Sequence, residues 1–197
     1  MHYAIEPKGT PEGATVRYDI DTKGSTFTVR AFTAGLLAAF GHNPTIAIPD
    51  LNGELLLNSD TIEQSSLRMV AHAASLAVTD DISAKDREEI NHRMHTEVLE
   101  SDSFPDIVYE SSRVSASKTG DGQFWVAITG ELTMHGVTHS QAISARLSVN
   151  GTTIRATGEF SIRQSDYELR PVSAVGGTVK LKDELKLSFD ITARKQE

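Results

Sequence analysis

Apolar residues recur at every second position through most of this chain, and that period limits its fold more than any other feature. Helices bring every third or fourth residue to one face, whereas strands send successive side chains to opposite faces. The two-residue pattern runs through Tyr18 to Asp21, Thr26 to Arg30 and Leu55 to Leu57, then through Leu67, Met69, Ala71 and Ala73. It continues in Ile107 to Tyr109 and in Phe124, Val126 and Ile128. The C-terminal half repeats it from Ile143 to Val149, from Ile154 to Ile162 and from Leu185 to Ile191. Lys23-Gly24-Ser25 separates the first two runs, and Thr119-Gly120-Asp121-Gly122 forms a turn before the Phe124 run. Asn150-Gly151 predicts a tight hairpin, because both residues tolerate positive φ. Roughly eight such strands can share an apolar interior as a closed antiparallel barrel or as a two-sheet sandwich, and periodicity fits both.

One stretch departs from this pattern. From Ala84 to Leu99, Ile90, Met94 and Val98 recur every four residues, with Ser83 placed to cap the first turn and Asp86 near its positive end. A single short amphipathic helix cannot supply the repeated crossovers of a parallel sheet. It can cover a barrel mouth or one side of a sandwich.

Composition narrows the chemistry. At 197 residues the chain is long enough for one substantial core. Without cysteine it has no disulfide framework, zinc–thiolate site, iron–sulfur cluster or thiol nucleophile. The formal charge of -8 opposes nonspecific attraction to nucleic acid, and aromatic residues at 6% offer few rings on which bases could stack. That acidity is regional: from Asp50 to Glu110 there are 14 acidic and 4 basic side chains, net -10. No apolar run is long enough for an integral membrane segment, and the first residues lack the pattern of a signal peptide. The expected location is cytoplasmic if the chain is complete, and periplasmic or secreted if a leader has been removed.

Histidine clusters are the nearest approach to a catalytic or metal signature. Glu88, His92 and His95 share the helix, but the spacing lacks two histidines at i and i+4, and no further ligand is specified nearby. A solvated helix face accounts for them without a metal. His135 and His139 flank a turn, where a distant carboxylate could orient one as a base; they do not define a triad with Ser140 or His42. No glycine-rich phosphate-binding loop is present. Arg155, Arg163 and Arg170 fit either surface salt links or an anion-binding rim. No catalytic residue, metal site or cofactor is expected.

The ordered motifs carry a resemblance. Tyr18 to Val29, Ser103-Phe104-Pro105-Asp106-Ile107-Val108-Tyr109-Glu110-Ser111, Ile128 to Thr138 and Phe160 to Tyr167, taken in this order, resemble the YceI-like family over most of residues 16–193. That resemblance implies residues 1–15 as a lead-in and residues 16–197 as one domain. The implied fold is all-β, an eight-stranded antiparallel lipocalin-like barrel with a short helical insertion. It also implies soluble, noncovalent binding or transport of a long-chain isoprenoid or other amphiphilic small molecule inside the barrel. On this reading Phe27, Val29, Met69, Val126, Ile128, Leu132, Phe160, Leu187 and Phe189 are cavity contacts, with His135 and Arg163 as polar contacts near a barrel end. Each apolar member could equally be ordinary filling of a small barrel. The apolar segment Ala34 to Pro44 departs from the family pattern, and could form a lid, fill the cavity or pair two copies as a homodimer. Two other classes stand beside lipid binding: a histidine-based metal-binding or hydrolytic enzyme, and a filled barrel whose acidic helix recruits a protein.

Overall fold

The computed structural model describes residues 15–34, 43–58, 60–170, 173–174 and 179–196. The alternating runs become twelve antiparallel strands among these residues. They are β1 (Thr15–Ile20), β2 (Thr26–Ala34), β3 (Thr45–Ala47), β4 (Leu51–Asn58), β5 (Ser66–His72), β6 (Ala77–Val78), β7 (Asp106–Gly120), β8 (Gln123–Met134), β9 (Val137–Asn150), β10 (Thr153–Arg163), β11 (Ser173–Ala174) and β12 (Val179–Lys195). The helix α1 (Ala84–Arg93) lies between β6 and β7 and continues into a wider π-type turn over Met94–Val98.

Eleven of these strands make eight staves, and β11 adds to one end of β12. β1 and β2 lie end to end along β12, with Ile20 opposite Ala193 and Thr26 opposite Asp190. The Thr22–Gly24 turn is therefore a break in one stave, not a hairpin. Asp21 stabilises it by accepting from the Lys23 and Gly24 amides at 3.2 Å, while Arg194 donates to its other oxygen at 2.7 Å. β3 with β4, and β5 with β6, form two more broken staves; β7, β8, β9, β10 and β12 complete the ring. Pairing of Tyr18 with Lys195 closes it, which selects the barrel over the sandwich and leaves no edge along that seam.

The two ends of the barrel differ. At the end holding the β7–β8 and β9–β10 turns, Tyr18, Leu57, Ile62, Val114, Val126, Leu147 and Ile154 close a tight core. The Gly151 turn has φ of 53°, as its hairpin requires, and its carbonyl accepts from the Tyr18 hydroxyl at 2.7 Å. At the opposite end the wall is incomplete in two places, and non-strand segments fill both.

Among the described residues β6 pairs only with β3, so its other edge needs partners. The helical segment supplies them: Asn91 Oδ1 accepts from the Val78 amide at 2.9 Å, and His95 Nε2 donates to the Leu76 carbonyl at 2.8 Å. Ser83 caps α1 by accepting from the Asp86 amide at 3.1 Å. β9 pairs with β10 only from Ser144 to Asn150, and among the described residues no strand pairs its first half on that side. The short turn Gln164–Tyr167 packs beside it, with the Tyr167 ring edge-on to His139 at 5.4 Å. Ser165 ties this turn to β12 by donating to both Asp183 oxygens, from its amide at 2.8 Å and its hydroxyl at 2.7 Å. These bonds hold the Asp183 carboxyl below its usual range.

Candidate ligand-binding chamber

Inward side chains of a small barrel normally fill it. Here Phe27, Met69, Ile107, Ile128, Ile143, Phe160 and Phe189 take inward positions yet are only partly buried. The surface they retain faces internal space. The larger space, of about 520 Å³, lies in the half of the barrel beneath α1; a smaller one of about 100 Å³ lies toward the closed end.

Three phenylalanines stand where the two chambers meet. Phe27 and Phe160 line both, and Phe189 lines the smaller. The Phe27 ring stacks on Phe189 at 6.0 Å and meets Phe160 edge-on at 6.3 Å, while Phe160 and Phe189 are 6.5 Å apart. All three separations suit favourable aromatic pairing. Gly158 makes room for the cluster, since a Cβ there would lie 2.7 Å from the Phe189 ring and collide with the Ser144 carbonyl.

The wall of the larger chamber is mostly aliphatic. Val29, Leu51, Met94, Leu132, Ile162 and Leu187 are buried in it, and Ile90, Met94 and Val98 present the helix stripe to it. Ile90 is 41% exposed and the lining extends to Asp86 and Glu89, so the chamber reaches the surface along α1. The Tyr109 hydroxyl donates to the Gln141 carbonyl at 3.1 Å, and burial pushes this phenol up to about 12. A predominantly apolar lining of this kind removes apolar surface from water and suits a hydrophobic or amphiphilic ligand.

The nine apolar positions singled out in the sequence all face internal space. Phe27, Val29, Met69, Leu132, Phe160 and Leu187 line the larger chamber; Val126, Ile128 and Phe189 line the smaller. The two polar candidates fall elsewhere. His135 sits at the β8–β9 turn with φ of 52°, its ring 4.5 Å from Phe104 and its Nε2 3.3 Å from Glu100, and it lines neither chamber. Arg163 ends β10 on the outward face, exposed, near Asp183.

Among the described residues the buried polar side chain that lines the chamber is Gln164, one position later and 3% exposed. Strand parity carries the signal that finds it: Phe160, Ile162 and Gln164 share a face, and Arg163 does not. His92 is exposed, His95 serves the β6 edge and His139 packs on Tyr167. Among the described residues, no group of three His, Asp or Glu side chains could hold a metal ion. His42 and most of the apolar segment from Ala34 to Pro44 lie outside the described residues. No described helix is long and apolar enough to cross a membrane.

Comparison with solved structures finds the same fold. BcnA of Burkholderia cenocepacia superposes with a TM-score of 0.67 at 16% identity, over 88% of this chain and 98% of that one. A polyisoprenoid binding domain from Saccharophagus degradans, implicated in plant cell wall breakdown, gives 0.65 at 12% identity, over 92% and 99%. The Campylobacter jejuni YCEI protein gives 0.56 at 17% identity, over 77% and 85%. Comparison with curated proteins finds no significant match. The family model for the YceI-like domain matches residues 18–193, which span the barrel from β1 to the C-terminal end of β12, and the chain belongs to that family.

Proposed function

We propose that this protein binds and carries a long-chain amphiphile of isoprenoid type, noncovalently, with the chain inside the barrel and the polar end toward α1. The observation that carries this reading is the apolar chamber of about 520 Å³ inside the barrel. At about 30 Å³ per water-sized group, it accommodates roughly 17 such groups, the size of a chain of three isoprene units with a small head. Each methylene removed from water contributes about 0.8 kcal/mol before the costs of association. The Saccharophagus degradans relative, described as a polyisoprenoid binding domain, supports the same class of ligand. A sequestering or transport role needs no catalytic group.

The test is to incubate the purified protein with a total lipid extract, remove unbound material, and identify what remains by native mass spectrometry. One stoichiometric apolar or amphiphilic molecule is expected. Reproducible absence of any such ligand, with the chamber closed in a crystal structure, would reject the proposal.

A further inference from the structure

Within this apolar chamber one uncharged side chain offers a hydrogen-bond acceptor. Gln164 Nε2 donates to the Lys182 carbonyl at 2.9 Å. A carbonyl oxygen can only accept, so this bond fixes which end of the amide is nitrogen. Among the described residues no hydrogen bond ends on Oε1, which stays in contact with the chamber. An amide oxygen facing an apolar chamber accepts readily from a donor that a ligand brings in. The turn holding Gln164 is fixed to β12 through Ser165 and Asp183, so this acceptor is positioned before a ligand arrives.

The rim opposes negative charge. Asp86 and Glu89 line it, and the guanidinium of Arg93 is engaged by Glu97, with Nε to Oε1 and Nη2 to Oε2 both at 3.1 Å. A phosphate or carboxylate entering here meets like charge in the net -10 region, whereas a neutral hydroxyl does not.

Building on the amphiphile-carrier reading, we infer that Gln164 is the polar anchor of the chamber and selects a ligand that ends in an uncharged hydrogen-bond donor, a long-chain alcohol. Its hydroxyl donates to Gln164 Oε1, and its chain runs toward Phe27 and Phe160.

The test uses four probes with the same sixteen-carbon chain: 1-hexadecanol, its methyl ether, palmitic acid and hexadecyl phosphate. Each competes with the fluorescent apolar probe N-phenyl-1-naphthylamine. The alcohol should bind about fivefold more tightly than the ether, in which a methyl group replaces the donor hydrogen. Both anions should bind more weakly than the alcohol. In Gln164→Leu the alcohol should fall to the level of the ether, with the ether unchanged. Equal binding of alcohol and ether by the native chain, tightest binding of the phosphate, or an alcohol preference that survives Gln164→Leu would each overturn the inference. If the variant does not fold, the order of the four probes on the native chain decides. Binding of all four without order overturns the role of Gln164 alone; failure of every probe, the fluorescent one included, overturns the carrier reading with it.

Discussion

Replacing Phe160 with alanine tests whether the phenylalanine cluster sets the length of chain the barrel accepts. Phe160 lines both chambers and contacts Phe27 and Phe189. A fully enclosed phenylalanine costs about 3–5 kcal/mol when truncated to alanine. Phe160 already faces open space on part of its ring, so fewer contacts are lost and the expected destabilisation is about 2–3 kcal/mol. The barrel should therefore fold, with a lower Tm.

Ligand capacity should rise. The smaller chamber adds about 100 Å³, room for roughly three groups, and the deleted ring frees comparable additional space. Affinity for straight-chain alcohols from ten to twenty-four carbons can be read by displacement of N-phenyl-1-naphthylamine. For the native chain, affinity should rise by up to about fourfold per methylene and level off near sixteen carbons. In Phe160→Ala the plateau should move at least about five carbons longer. A plateau that stays in place while Tm falls would show that the cluster is ordinary packing and sets no length limit.

Two further outcomes follow from the wall. The buried Tyr109 phenol, raised from 10.0 to about 12, ionises first in the unfolded chain. Its stabilising contribution is complete below pH 10 and lost between pH 10 and about 12, which chemical denaturation across that window and phenolate absorbance will check. Asn91→Ala removes the acceptor of the Val78 amide, so hydrogen exchange at Val78 should quicken about fivefold while Val126 in β8 is unaffected. Equal acceleration at both amides would show global destabilisation, not release of the β6 edge.

Local chemistry made much of this fold legible in the sequence. The two-residue period places the inward faces of β8, β10 and β12, the Asn150-Gly151 hairpin forms, and Ser83 caps the helix whose Ile90, Met94 and Val98 face the interior. Closure was not legible, because it depends on Tyr18 meeting Lys195 across nearly the whole chain. Neither was the Thr22–Gly24 break: a short glycine-containing turn between alternating runs reads the same whether the strands fold back or continue along a common neighbour.

The site divides along the same line. Apolar alternation locates Phe27, Phe160 and Leu187 on the interior, but whether an inward side chain meets a neighbour or empty space is settled by packing around the whole ring. Charge and chain order draw attention to His135 and Arg163, while parity puts the uncharged Gln164 inside. The unpaired half of β9, filled by Tyr167, has no local sequence mark because strand ends are set by the partner strand.

The most direct test of the account is to locate a bound chain. Crystals grown with 16-bromohexadecan-1-ol report the chain end through anomalous scattering from bromine. The account predicts a bromine peak inside the barrel beside Phe27 and Phe160, with the hydroxyl within hydrogen-bond distance of Gln164 Oε1. Bromine on the outer wall, or a barrel interior closed by its own side chains with no bound chain, would contradict it.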